Sequence, residues 1–362
     1  MSSTDYPSVD ALNAKRDDNM TQIANQTHAD ALAALYRPIE KDLADATELL
    51  KNRLRHVEPT FDAYLDYSFK LGGKRLRPAL VLLCGKAAGT LEPRHALVAA
   101  ALEMIHTGSL VHDDILDGAE FRRQLETVNA KWDSQRAVLI GDLLITRAFE
   151  LICDCDDSKV FRELSVCCKS TVEGELYQTE SVGNFQLTPE DYRKIVGGKT
   201  ASLLECSASL GAYLAGANDE EIDAFAKFGQ ALGVAFQIVD DVLDLVGDEE
   251  KVGKTLGTDL ENKKETLPLI IYLQKAPEEE RKAFLKRMDD GIKAEERADV
   301  AQLLRESGAI DEALDRASNM IDEALNALKP SRERAKKDER KGSLDAFEAL
   351  EALARFVVKR DK

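Results

Sequence analysis

Two acidic pentapeptides stand out by residue type and spacing: Asp113-Asp114-Ile115-Leu116-Asp117 and, with one conservative change, Asp240-Asp241-Val242-Leu243-Asp244. Each ends an apolar run, LEMIHTGSLVH before the first and ALGVAFQIV before the second. On a helix the first and last aspartate of each motif, four apart, share one face about a turn from each other. Two such faces set opposite one another make a cage for hard divalent cations. A single acidic run is more often a solvated helix face. The pair argues otherwise, because carboxylates crowded in apolar surroundings repel unless a cation joins them. All-oxygen donors suit Mg²⁺, which keeps several waters and completes its octahedron with substrate phosphates. The implied substrate is a diphosphate.

Cations that could grip such a substrate lie nearby in sequence. Leu71-Gly72-Gly73-Lys74-Arg75-Leu76-Arg77-Pro78 packs three basic side chains into four residues behind a glycine pair. Such a turn can present amide groups and cationic heads to a phosphate. Arg122 and Arg123 follow the first acidic motif, with surface pairing to Glu120 or Glu126 as the plainer alternative. Further on come Gly198-Lys199-Thr200, Gly253-Lys254-Thr255 and Lys264. Each tripeptide resembles the end of a nucleotide-binding P-loop. That motif also needs a glycine five residues before the Gly-Lys pair and a preceding strand; Arg193 and Asp248 occupy those positions, and no strand-like run leads in. A nucleotide hydrolase is thereby disfavoured.

The elements that must position these residues read as helices. Ala96 to Leu116, Arg136 to Cys153, Lys199 to Ala217 and Glu220 to Val246 repeat apolar residues every three or four positions. Pro59, Pro93 and Pro189 stand where new helices would start. Residues 1–30 read as a flexible polar tail, and 31–362 as one all-α domain, a single large helical bundle with the site in a central cavity. A charged break from Pro330 to Ser343 precedes a closing helix. With 362 residues, 44% of them hydrophobic, the chain can bury a large core. A net charge of −17 argues against nucleic acid or an anionic membrane surface as the main partner. Six cysteines show neither C-x-x-C pairing nor a zinc-like spacing with histidine, which points to free thiols. The N-terminus lacks the apolar core of a signal peptide and no stretch nears 18 uninterrupted apolar residues, so a cytoplasmic protein without a transmembrane segment is expected.

GGKRLRP, EMIHTGSLVHDDILD, the Arg pair, GDLL, GGKTASLL, FQIVDDVLDLVGD and VGKTLGTDLENKKETLPLI occur in the order and spacing of the trans-polyprenyl diphosphate synthases, and the chain resembles that family from about residue 33 to 360. The resemblance implies the all-α isoprenoid synthase fold and a chain-elongating prenyltransferase. Such enzymes hold an allylic diphosphate, here farnesyl or geranylgeranyl, through three Mg²⁺ ions, ionise it, and let isopentenyl diphosphate attack the cation. By the same resemblance Asp113, Asp117, Asp240 and Asp244 match the metal ligands, with Asp114 and Asp241 less directly involved. Lys74, Arg77, His106 and Arg123 match the grip on isopentenyl diphosphate. Arg122, Lys199, Thr200, Gln237, Lys254 and Lys264 match the grip on the allylic diphosphate, and Lys199 and Thr200 are assigned a catalytic part. His106 alone would read as a core histidine; its place seven residues before Asp113, on about the same helix face, brings it to the site. A homodimer is implied as well.

The chain departs from the family pattern at Gln124 to Asn129, where most members carry Gly-x-Pro-Thr-Val-His, and at Thr255, where proline is common. Product length should depend on the side chains upstream of Asp113, where the growing tail runs down between helices. Ser109 and Gly108, four and five residues before Asp113, are both small. They lie roughly 6 to 7.5 Å down the axis. An open tunnel and a long product follow, octaprenyl within a range from hexaprenyl to decaprenyl. The alternative is that Gly108 serves close helix packing and a larger residue floors the tunnel elsewhere. Rival functions are a shorter-chain farnesyl or geranylgeranyl synthase, a terpene cyclase, which needs no second diphosphate site, and a non-catalytic partner subunit, in which the acidic motifs would be eroded.

Overall fold

The computed structural model describes residues 31–55, 58–71, 73–247 and 257–359. In chain order the main helices are α1 (Glu40–Leu54), α2 (Pro59–Lys70), α3 (Leu76–Ala88), α4 (Pro93–Leu116), α5 (Ser134–Cys153), α6 (Ser158–Ser181), α7 (Pro189–Val196), α8 (Ser202–Leu214), α9 (Asp219–Val246), α10 (Leu267–Lys275), α11 (Glu278–Asp290), α12 (Arg297–Glu306), α13 (Ala309–Ala327), α14 (Lys329–Lys337) and α15 (Ser343–Val358). Among the described residues the strands form one small antiparallel hairpin, Phe121–Arg122 against Leu125–Glu126.

Local chemistry sets the helix starts. Pro59, Pro93 and Pro189 each occupy the first turn, where a missing N–H goes unneeded. At the head of α9, the Asn218 side chain accepts from the Glu221 amide at 2.9 Å, and Glu221 returns the contact to the Asn218 amide. Thr188 and Asp191 form the same reciprocal cap at α7. These caps fix where the two helices begin, and hence where Tyr192 and the second acidic motif lie.

Helix α4 packs on α3 and α5, and α8 lies against α3 and α9, so the two motif-bearing helices belong to one bundle. From Pro78 to Ala88 only Lys86 of α3 escapes full burial. Phe225 and Phe228 of α9 are fully buried; removing such a side chain from water contributes on the order of 2–3 kcal/mol. By length and composition α9 could cross a membrane, yet half of its most apolar window is buried within the protein. It is a core helix of the bundle.

The charged stretch from Pro330 to Ser343 is not a break. Most of it is α14, whose Ser331 and Ala335 are buried while the charged residues face outward. Arg334 pairs with the buried Glu221 at 3.1 Å. Charge density hid a short amphipathic helix whose apolar face is only one or two small residues wide.

Candidate active site

The first motif occupies the last turn of α4. The Asp117 amide still bonds to the Asp113 carbonyl at 2.8 Å, so the helical path carries through Asp117 and keeps both carboxylates on one face. The second motif lies near the end of α9. Asp117 is exposed, Asp113 and Asp240 are half-buried, and Asp114, Asp241 and Asp244 are buried. Burial pushes the Asp113 carboxyl up to about 6, with Glu175 and Asp117 adding to the rise and Lys199 opposing it. Asp117, although exposed at its edge, is raised too by the loss of water around its carboxyl, against the pull of Lys199 and Lys264. A carboxylate pushed up in this way stands in a negative, poorly solvated cleft that a cation would relieve.

The middle aspartate of each motif holds a cation. Asp114 accepts from Arg122 Nε at 2.9 Å and from its Nη2 at 2.8 Å, both on Oδ1. Asp241 accepts from Lys264 at 3.4 Å and from Gln237 Nε2 at 2.8 Å on Oδ1, and from the Tyr192 hydroxyl at 2.6 Å on Oδ2. Lys264 also pairs with Asp259 at 3.2 Å, and the Asp259 amide donates to Asp244 Oδ2 at 3.1 Å. Because Lys264 acts electrostatically on Asp117 while bound to Asp241, the two motifs face a common space.

Lys199 and Thr200 sit in a π-turn, Gly197–Ala201, between α7 and α8. Such widened turns cluster at functional sites because they re-aim side chains without ending the helix. Here the turn crosses α6 at backbone contact: a Cβ on Gly198 would lie 2.7 Å from the Ser170 carbonyl oxygen, and one on Gly174 would strike the Lys199 amide. Lys199 pairs with Glu175 of α6 at 2.6 Å, and Thr200 donates to Gln237 Oε1 at 2.9 Å. The tripeptide follows a helix, not a strand, which removes the P-loop reading.

A second group of cations gathers beside the first motif. The Arg123 guanidinium lies where a Cβ on Gly73 would be, so the Gly73-Lys74 segment and the Arg pair touch. His106 is held well below its usual range, first by burial and then by Arg77, Arg122, Arg123 and Arg75. It is therefore a neutral ring among arginines. Arg77 Nε is enclosed without a partner, as is Asp114 Oδ2. Arg75 is tied to the buried Glu103 at 2.8 Å and supports the turn from within.

The Arg pair is displayed by the hairpin, whose two central residues, Arg123 and Gln124, have φ of 53° and 64°. Both sit in the left-handed region, the geometry of a tight two-residue turn that favours glycine at no steric penalty. The departure at Gln124 therefore leaves the arginines in place and adds backbone strain of roughly 1 kcal/mol. Gln124→Gly should stabilise the protein by about 0.5–1 kcal/mol, the added freedom of the unfolded chain offsetting part of the gain. A thermal melt that shows no rise in Tm would contradict the strain.

Gly108 sits where α4 crosses α5. A Cβ on Gly108 would lie 3.0 Å from the Gly141 carbonyl oxygen and 3.1 Å from Ile145 of α5. Gly108 thus lets α4 and α5 pack closely and is closed to a growing tail from that side. Ser109 is half-buried and donates to the His106 carbonyl at 2.9 Å. Lys254 and Thr255 lie outside the described residues. Glu175 and Tyr192 join the site without being foreseen, as each is an ordinary polar residue with no motif around it, and Asp259 joins from within the VGKTLGTDLENKKETLPLI stretch without having been singled out.

The oxygen donors fit a divalent cation: Asp114 has a buried oxygen without a partner, and Asp113 is destabilised as an anion. Among the described residues no three Asp, Glu, His or Cys side chains enclose an ion unaided. Each motif offers carboxylates to an ion that keeps places for water and substrate oxygens, as Mg²⁺ does.

A family model described as polyprenyl synthetase matches residues 58–307. The chain belongs to the polyprenyl synthetase family. It is 35% identical over 292 residues, 80% of this chain and 89% of the relative, to the all-trans-nonaprenyl-diphosphate synthase (geranyl-diphosphate specific) of Rhodobacter capsulatus. It is 34% identical over 327 residues, 87% of this chain and 95% of the relative, to the short chain isoprenyl diphosphate synthase of Methanothermobacter thermautotrophicus. The crystal structure of polyprenyl synthase from Caulobacter crescentus, complexed with calcium and isoprenyl diphosphate, aligns with a TM-score of 0.82 at 32% identity, covering 91% of this chain and 98% of that one. The all-α fold expected of the family is the fold observed, and the chain is a prenyltransferase.

Proposed function

We propose that this prenyltransferase joins isopentenyl diphosphate to an allylic prenyl diphosphate, farnesyl or geranylgeranyl, to give an all-trans polyprenyl diphosphate. The observation that carries the reading is the presence of two cation sets flanking the acidic motifs. One consists of Lys74, Arg77, Arg123 and the neutral His106; the other of Lys199, Thr200, Gln237 and Lys264 around Asp241, with Arg122 held by Asp114 between them. A terpene cyclase would need only one such set. Both acidic motifs are intact, which speaks against a non-catalytic partner subunit.

Three Mg²⁺ ions held by Asp113, Asp117, Asp240 and Asp244 would neutralise charge on the leaving diphosphate. Lys199, Arg122 and Lys264 would add fixed positive charge where that group departs, the place where preorganised electrostatics lower a barrier most. The allylic C–O bond breaks with its electron pair leaving on the diphosphate. The alkene of isopentenyl diphosphate then forms the new C–C bond, and a proton passes to the departing pyrophosphate. Apolar residues lining the path of the tail would keep water from the cation.

A long product, octaprenyl within the hexaprenyl to decaprenyl range, rests on the small Ser109. Ser109→Phe is expected to shorten the main product by several isoprene units; an unchanged length would remove this position from the tunnel. We also propose a homodimer, through the apolar side chains that α5 and α6 expose: Leu139, Phe161, Val172, Leu176 and Tyr177. A cytoplasmic site of action accords with this reading. The test is incubation with farnesyl diphosphate, excess isopentenyl diphosphate and Mg²⁺, with product length read by mass spectrometry. A ladder of prenyl diphosphates that EDTA abolishes is expected. No elongation by the pure protein would favour a partner subunit.

A further inference from the structure

We infer that Tyr192 is a positioning residue for the allylic diphosphate site: its hydroxyl fixes Asp241, which in turn fixes Gln237 and Lys264. The inference rests on the function proposed above and assigns a role to a residue buried behind the site. Tyr192 lies on α7 and is 4% exposed, so it acts through its one polar contact, the bond of 2.6 Å to Asp241 Oδ2. Asp241 is itself buried at 1% exposure. Both of its oxygens are used, Oδ2 by Tyr192 and Oδ1 by Gln237 and Lys264.

The consequences run outward from that carboxylate. Gln237 donates to Asp241 and accepts from Thr200, so its amide is held in one orientation and anchors the π-turn that carries Lys199. Lys264 is shared between Asp241 and Asp259, which holds its ammonium beside the second motif and within electrostatic reach of Asp117. Without the Tyr192 hydroxyl, Asp241 Oδ2 would be a buried acceptor with no partner, a state that favours rotation of the carboxyl toward another donor. That rotation releases Gln237 and Lys264 together. Burial and the nearby carboxylates hold the Tyr192 phenol well above its usual range, so it remains a donor at any working pH. The isopentenyl diphosphate group is built elsewhere, with the Arg123 guanidinium against Gly73 and His106 among Arg77, Arg122 and Arg123, whereas this network joins α7, the π-turn and α9.

The test uses calorimetric binding of farnesyl thiolodiphosphate, an unreactive allylic probe, with Mg²⁺, alongside the KM for isopentenyl diphosphate. Tyr192→Phe should weaken the probe by about tenfold, the loss of one charge-assisted hydrogen bond, and leave the isopentenyl diphosphate KM within about twofold. Asp241→Asn should show the same selective loss, and the double variant should be no worse than Asp241→Asn alone, because the tyrosine acts through that carboxylate. A purely structural role would lower Tm and weaken both substrates alike. Equal losses for both substrates, additive losses in the double variant, or wild-type probe affinity in Asp241→Asn should Tyr192→Phe not fold, would each overturn the assignment. Failure of the wild-type protein to bind the probe at all would instead sink the proposed function on which it rests.

Discussion

Replacing Asp240 or Asp113 by asparagine is expected to lower kcat by about 10³-fold, since groups that stabilise developing charge through a bound ion contribute on this scale. Asparagine keeps the shape and removes the charge, so the fold survives while the cage loses a ligand. The half-buried Asp113 is pushed up to about 6 by burial, a rise that Lys199 opposes without cancelling. Steady-state kinetics across a Mg²⁺ titration should show both a lower kcat and a higher half-saturating Mg²⁺. Asp114→Asn should act differently, because Asp114 is tied to Arg122 at 2.8 Å; a loss of about tenfold, seen in the allylic KM, is expected from a weakened charged contact. Near-wild-type kcat in Asp240→Asn would take the second motif out of the chemistry.

Gly174→Ala is the second large effect. A Cβ there would strike the Lys199 amide and lie 2.7 Å from the Gly198 carbonyl carbon, and both obstacles are backbone. The π-turn must move, carrying Lys199 and Thr200 with it. Overpacking of this kind destabilises by about 1–3 kcal/mol, and misplacing a positioned group by about an ångström lowers the rate by about 10²-fold. Gly197→Ala is the matched control, because a Cβ at Gly197 meets nothing within 4 Å. Thermal melts and kcat should separate the two variants; if Gly174→Ala keeps wild-type kcat, the crossing of α6 and the π-turn does not set the Lys199 position.

Much of the site was legible in the sequence because the chemistry repeats and sits on helices with clear periodicity. The acidic pentapeptides ended apolar runs, and both runs are core helices with the carboxylates in their closing turns. The Gly-Lys-Thr tripeptide at Lys199 announced a phosphate contact but not its π-turn, which depends on α6 pressing Gly174 against Gly198 from 24 residues upstream. The close packing of Gly108 on Gly141 and Ile145 was one of two readings open in the sequence, because one sequence cannot say which face of α4 meets α5. Tyr192 and Glu175 carried no local signal, since their roles arise from Asp241 and Lys199 across the bundle. Conversely, the charged stretch over α14 looked like a break because its buried face is only Ser331 and Ala335.

The central claim is that the acidic motifs and their cations draw a diphosphate away from an allylic carbon. Farnesyl diphosphate bearing fluorine at C2 tests it most directly, because fluorine destabilises the adjacent cation while hardly changing size or charge. With isopentenyl diphosphate and Mg²⁺, kcat should fall by about 10²-fold or more, with the Kd of the fluorinated substrate within about threefold of the parent. An unchanged kcat would mean that no cation forms at the transition state, and would contradict the account.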